Sequence, residues 1–302
     1  MLKRTLKLLK YDLGAMVKYW WVIALITPIA ALATAIFFRS YIETMELMDS
    51  MFIEDQTFLA SLFILLISMG EMLGAYVSSI IFGVTLLATE IVIFIRFFKH
   101  FYTDEGYLTF TLPVSRRELY FSKVISAMII TLAQVAIMVL GAVAMILIVP
   151  PSDAGLWIFA QRTWEVIGNW IRNPEFWKIS ALLLVNGAIG IVVAVGSLFT
   201  EITLIHMCIT LGSVIAKRGK VFAAIGCWFL ISNAFSYILS GLYTALYSMF
   251  IVTLPFALEL TIYHFLFGCI PLLVMIAAIF WTFGFLFYNI TQALIDKKLN
   301  LA

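Results

Sequence analysis

The feature that most constrains this chain is an apolar run at residues 58–95, whose only charged side chains are Glu71 and Glu90. A helix of that length would measure ~57 Å. The hydrocarbon core of a bilayer is ~30 Å thick and needs only ~20 residues. A run this long has too few polar groups to form the surface of a soluble domain, so lipid is its expected solvent.

The composition of the whole chain also indicates that lipid is its solvent. The 302 residues are 64% hydrophobic and 12% charged, whereas soluble domains are roughly 45–50% apolar and about 25% charged. Inside a bilayer the backbone must satisfy its own hydrogen bonds, which helices do within one segment. The predicted fold class is therefore all-α, a polytopic membrane helical bundle formed by residues 1–302 as one transmembrane domain.

Six spans are predicted, preceded by a basic N-terminal segment, 1–19. The spacing of its leucines predicts an amphipathic helix in the membrane interface; the alternative is that it prolongs the first span. The predicted spans are 20–38, 58–95, 123–149, 174–216, 221–246 and 265–288, and residues 39–57 are predicted to be an outer loop.

The distribution of Lys and Arg predicts the topology. With six spans, fifteen of the 19 basic residues fall on the side of the two termini, 96–123 and 217–220. Cytoplasmic segments of membrane proteins carry this excess of basic residues. If 58–95 and 174–216 were instead helical hairpins, the chain would have eight spans and a weaker charge asymmetry. Six spans with both termini in the cytoplasm are therefore favoured.

Three carboxylates lie within predicted spans, namely Glu71, Glu90 and Glu201. Ionisable groups inside a bilayer often line a transport path, so all three are candidate translocation residues. Pairing between helices or a position at headgroup level is the alternative for each. The sequence contains no phosphate-binding loop motif and no metal-ligand spacing among its three histidines. No catalytic residue, metal site or cofactor site is therefore predicted.

The segment 96–122 is polar and predicted to be cytoplasmic. Residues 104–106 form an acidic turn, and Ser115 with Glu118 has the spacing of a capping box at a helix start. Such a structured elbow is suited to docking a soluble partner; the alternative is a loop held at the lipid headgroups by its arginines. The candidate coupling residues are Asp104, Glu105, Gly106, Ser115, Arg116, Arg117 and Glu118.

The run DEGYLTFTLPVSRREL at 104–119 strongly resembles a segment of type-2 ABC exporter permeases of Gram-positive bacteria. The basic N-terminal helix, ITLGSVIAKRGK at 209–220 and KKLNL at 297–301 resemble that family less specifically. The resemblance implies a bacterial cell-membrane permease subunit that pairs with a second copy or paralogue. It also implies separate ATPase subunits that bind ATP and Mg²⁺, a coupling helix within residues 104–118 of the cytoplasmic coupling segment 96–122, and no nucleic-acid partner.

Two other functions remain compatible with the residues. One is an ion-coupled secondary transporter that uses the carboxylates Glu71, Glu90 and Glu201. The other is a membrane sensor or scaffold that transports nothing. The charge pattern and the apolar runs do not separate these functions, and the resemblance of residues 104–119 favours the permease.

The topology can be tested with single cysteines in a background without the native Cys208, Cys227 and Cys269. Cysteines at Asp49 and Asp153 should react with a membrane-impermeant thiol reagent added outside intact cells, because both positions follow outward-running spans. A cysteine at Ser115 should react only after the cells are opened. External labelling at position 115 would contradict six spans with cytoplasmic termini.

Overall fold

The structure is a computed structural model that describes residues 2–53, 58–103, 105–106, 111, 113–149, 162, 164–165, 168, 171–172, 176–216, 218–253 and 262–298. Within these residues the chain is helical and forms no strand. The six long helices are α1 (Leu2–Ile53), α2 (Phe58–Tyr102), α3 (Arg116–Ile148), α4 (Phe176–Ile215), α5 (Lys220–Thr253) and α6 (Ile262–Lys298).

Each of the six helices is long and apolar enough to cross a membrane. Large apolar side chains are exposed along them, such as Phe63 at 66% and Leu73 at 58% on α2. Water would penalise this surface, whereas lipid chains do not. The chain is therefore a multi-pass membrane protein. The all-helical bundle predicted from the sequence is confirmed, and both α2 and α4 are unbroken helices rather than hairpins.

The N-terminal part of the chain differs from the prediction. Helix α1 continues without a break through Pro28, so residues 2–19 prolong the helix that contains the first span. Met16 of the expected apolar stripe is buried and Leu9 and Leu13 are half-buried, whereas Leu6 is 54% exposed. Asp12 is also buried and has a buried partner described below.

The outer loop predicted for 39–57 is wrong for the residues that are described, because α1 runs to Ile53. Residues 39–53 contain neither proline nor glycine. Arg39 and Glu43 pair one turn apart at 2.9 Å, and such pairs support an exposed helix. The apolar run therefore predicts where a span lies better than it predicts where the helix ends.

The same difference appears at the end of the chain. Helix α6 extends to Lys298, ten residues beyond the predicted span, and α5 extends to Thr253. In the segment between 246 and 265, where an outer dip is predicted, residues 247–253 belong to α5 and 262–264 to α6. Residues 254–261 lie outside the described residues, as do Asn173 and Pro174 at the predicted start of the fourth span.

The chain divides into two compact units. The first consists of residues 1–12, 94–128 and 170–302. Helix α4 is its central element, because all nine residues from Ile202 to Thr210 are buried. Helices α5 and α6 both pack against α4. The backbones of α4 and α5 approach closely at Gly212, where a Cβ atom would lie 2.4 Å from the backbone nitrogen of Ala224.

The second unit consists of residues 13–93 and 129–169. A buried amide on α3, Gln134, joins three helices. Its Nε2 donates to Thr27 Oγ1 of α1 at 2.8 Å and to Thr85 Oγ1 of α2 at 3.2 Å. Its Oε1 accepts from Trp20 Nε1 at 3.0 Å. Hydrogen bonds between helices hold membrane bundles together where hydrophobic association is weak.

Replacing Gln134 with leucine should lower the free energy of unfolding in detergent by roughly 0.6–2 kcal/mol, because interhelical hydrogen bonds in membranes are individually modest. Thermal unfolding of the purified protein measures the change. The control is Asn233→Leu on α5, whose exposed amide bonds only to the carbonyl of Phe229 in its own helix. Equal thermal stability of Gln134→Leu and the wild type would show that this amide does not hold the three helices together.

Candidate functional site

The start of α3 has the geometry that the sequence predicts. The backbone N–H of Glu118 donates to Ser115 Oγ at 3.2 Å, and the backbone N–H of Ser115 donates to Glu118 Oε2 at 3.1 Å. This reciprocal pair is a capping box, which satisfies backbone donors that the first turn of a helix leaves unpaired. The predicted capping box is confirmed, and it fixes the direction in which the chain enters α3.

The two arginines of the first turn have different surroundings. Arg116 Nη1 donates to the backbone carbonyls of Ile295 at 3.1 Å and Asp296 at 3.0 Å, in the last turn of α6. Carbonyls at a helix C-terminus lack partners within the helix and favour a nearby cation. Arg116 therefore ties the start of α3 to the end of α6. Arg117 is exposed.

The turn that follows α2 is also held by local bonds. The N–H of Gly106 donates to the carbonyl of Thr103 at 2.8 Å, and the Thr103 hydroxyl donates to the carbonyl of Lys99 at 2.6 Å. A Cβ atom on Gly106 would lie 2.9 Å from the carbonyl oxygen of Phe101. This close approach of two backbone segments explains why glycine occupies the position. Asp104 lies outside the described residues.

Glu105 is the acidic residue of this turn that the structure describes. Its side chain is 55% exposed, and its Oε2 lies 3.8 Å from Nε2 of His100 on α2. The elbow, defined here as the described residues from Thr103 to Glu118, thus presents the charged side chains of Glu105 and Arg117 on its surface. The remaining charged groups, Arg116 and Glu118, are half-buried and make the contacts described above.

A buried charge cluster supports the elbow, and it joins three helices. The Lys123 ammonium of α3 forms a salt bridge with the Asp12 carboxylate of α1, and their side chains are only 3% and 8% exposed. The Ser122 hydroxyl donates to the other Asp12 oxygen at 3.1 Å. Lys123 Nζ also lies 3.2 Å from Nδ1 of His100 on α2. We call Asp12, His100, Ser122 and Lys123 the buried charge cluster.

Sequence reasoning missed the role of this cluster. The basic pattern of residues 1–19 assigns no role to Asp12, and Lys123 enters the sequence argument only as one of the cytoplasmic cations. The available signal was weak: Asp12 is the single acidic residue in the first 42 positions. Which cation it pairs with depends on packing between segments 111 positions apart.

Aromatic side chains pack around the buried charge cluster within the first unit. The ring of Phe97 on α2 stacks on His206 of α4 with centroids 3.8 Å apart, and Tyr120 of α3 stacks on Tyr288 of α6 at 4.8 Å. The Tyr102 hydroxyl donates to Thr210 Oγ1 at 2.8 Å. These contacts join α2 to α4 and α3 to α6 within the first unit.

The three span carboxylates are placed differently from one another. Glu71 is half-buried, and its Oε1 accepts from the Ser40 hydroxyl at 2.5 Å. Glu90 is half-buried on the same helix, and Glu201 on α4 is exposed. Glu71 and Glu90 are ~28 Å apart along α2, at 1.5 Å per residue. They therefore do not form one common site.

No group of three or more His, Cys, Asp or Glu side chains in the described part of the chain is arranged to hold a metal ion. Comparison of the sequence and structure with protein-family models, curated proteins and solved structures finds no match. The function proposed below therefore depends on the chain's own residues and on the resemblance of residues 104–119.

The Asp12–Lys123 pair can be tested by a double-mutant cycle. Asp12→Leu and Lys123→Leu should each destabilise the protein by about 3–5 kcal/mol, because each leaves one buried charge without its partner. The double variant should recover much of that loss, since it buries no unpaired charge. Thermal unfolding in detergent measures all three variants. Simple addition of the two single effects in the double variant would show that the pair is not coupled.

Proposed function

We propose that this chain is the membrane-spanning permease subunit of an ATP-driven exporter of the type-2 ABC class. It would form a dimeric transmembrane unit with a second copy or a paralogue and line the translocation path. ATP and Mg²⁺ would bind to separate ATPase subunits that dock at the elbow. The resemblance of residues 104–119 supplies the class, and the structure of the elbow supports a mechanical role.

The observation that carries the proposal is the way in which the elbow is fixed to the bundle. The capping box orients the start of α3, and Arg116 binds the end of α6. The buried charge cluster then joins α3 to α1 and α2. An ATPase can drive a membrane bundle only through a contact that passes its motion to the spans. A loop serving only as a connection would not need to lead into a helix start that is bonded, through Arg116 and Lys123, to three other helices.

The exposed face of the elbow offers a contact for a soluble subunit. Glu105 is well exposed on the turn and can form charge-assisted hydrogen bonds with a partner's basic groups. Arg116 is engaged with α6, so its substitution would perturb the bundle as well as any interface. Glu105 is therefore the better position for a test of docking.

The ion-coupled transporter receives less support. Such a carrier gathers its ionisable groups near the middle of the membrane, whereas Glu71 and Glu90 are far apart along α2. Glu71 is also hydrogen-bonded to Ser40, which is expected of a residue that joins two helices. The proposal accordingly gives these carboxylates no essential proton-carrying role.

The decisive variant is Glu105→Lys, with Glu105→Gln as the intermediate change. Charge reversal should reduce co-purification of the ATPase subunit and ATP-driven transport in vesicles by tenfold or more, if the contact is buried and contributes at least ~2 kcal/mol. Removal of the charge alone should have a smaller effect. The matched control is Arg218→Glu, a charge reversal at an exposed residue between α4 and α5.

Glu105→Gln and Arg218→Glu should show wild-type thermal stability in detergent, because both side chains are exposed. A loss of ATPase binding by Glu105→Lys counts as a docking effect only at wild-type stability, because position 105 adjoins His100. Full ATPase binding and full transport by Glu105→Lys would contradict the proposed docking surface. Transport that needs only a proton or sodium gradient, without ATP, would contradict the proposed function as a whole.

A further inference from the structure

An apolar groove crosses the surface of the first unit between α3 and α6, with α4 at its base. Its volume is about 300 Å³. Residues of α3 line one wall, residues of α6 line the other, and Phe199 of α4 is buried beneath them. The lining residues are Phe121, Val124, Ile125, Met128, Phe199, Trp281, Phe285 and Tyr288.

The groove lies within segments that can span a membrane, Arg116–Ile148 and Leu266–Asp296. From Phe121 to Met128 it extends ~10 Å along α3. In a soluble protein an open apolar groove has no evident occupant. Here the surrounding solvent consists of lipid chains, so an acyl chain is the chemical group that meets the groove from the bilayer.

The end of the groove nearest the start of α3 carries a positive charge. Arg117 lies four residues before Phe121 and seven before Val124, and it therefore shares their face of the helix. Helical side chains tilt toward the N-terminus, so its guanidinium reaches away from the groove toward the membrane surface.

We propose that this groove holds one acyl chain of an anionic phospholipid, with the headgroup phosphate bound by Arg117. Apolar walls match the chain, and guanidinium matches the phosphate in charge and in hydrogen-bonding geometry. In this proposal Arg117 binds a lipid headgroup rather than the ATPase subunit. This site goes beyond the permease function, because a resident lipid can bind whether or not an ATPase docks.

The test uses the full-length protein in nanodiscs that contain phosphatidylglycerol or phosphatidylcholine with a photoactivatable acyl chain. Cross-linked residues are identified by mass spectrometry, and lipid retained after detergent purification is quantified. In the wild type, cross-links should concentrate on the groove residues Phe121, Ile125 and Phe285. Phosphatidylglycerol should be retained in preference to phosphatidylcholine.

Two variants test binding of the acyl chain and binding of the headgroup separately. Ile125→Trp should fill the groove and reduce its cross-links, whereas Leu140→Trp, at an exposed position farther along α3, should not. Arg117→Gln should reduce phosphatidylglycerol retention about fivefold, because one basic residue at an anionic membrane surface contributes ~1 kcal/mol. Arg117→Lys should largely keep the preference. Because Arg117 is exposed, its variants remain informative if Ile125→Trp fails to fold.

Cross-links spread evenly over the exposed residues of α3, Leu140 included, would overturn the proposal in favour of ordinary boundary lipid. Equal retention of both phospholipids by the wild type would overturn the role of Arg117. A disulfide between two copies of the chain through a cysteine at position 125, in a background without the native cysteines, would assign the groove to a protein interface instead. Normal ATPase binding by Arg117→Gln would leave the function proposed above intact.

Discussion

The buried salt bridge between Asp12 and Lys123 is the interaction on which the organisation of the first unit depends. It joins the start of α1 to the start of α3, and His100 of α2 adjoins the same ammonium group. Removing two charges from water is unfavourable unless they are paired and hydrogen-bonded. The pair therefore restricts how these three helices can meet, because alternative packings would leave at least one charge buried without a partner.

The contacts around this pair extend the constraint to α4 and α6. The capping box sets the direction of α3, and Arg116 ties that helix start to the end of α6. The rings of Phe97 and His206 extend the contacts to α4, whose residues 202–210 are all buried. The polar bonds hold the start of α3 against α6, and the stacked rings join α2 to α4. This combination of polar and aromatic contacts is what a membrane subunit driven by a soluble ATPase would need.

Lipid explains the features that would be unusual in a soluble protein. Exposed apolar side chains along α2 and α3 need no protein partner in a bilayer, and interhelical polar groups such as Gln134 provide the specific contacts instead. The groove between α3 and α6 is also compatible with a lipid environment, since a lipid chain can fill a gap that faces the bilayer. The two arginines at the start of α3 then have distinct roles: one binds the bundle, and the other is proposed to bind a headgroup.

The sequence by itself determined the fold class, the number of spans and the capping box, because each is encoded locally. Twenty apolar residues define a span wherever they occur, and Ser115 with Glu118 caps a helix within one turn. It did not determine that α1 continues beyond its apolar run as far as Ile53, since polar residues without proline or glycine can remain helical. Only the tertiary structure decided that Asp12 meets Lys123, that Arg116 meets Ile295, and that residues of α3, α4 and α6 enclose a groove. These contacts join segments far apart in the sequence, 111 positions for Asp12 and Lys123 and 179 for Arg116 and Ile295. Hydropathy and helical periodicity carry no information about which distant segments pack together.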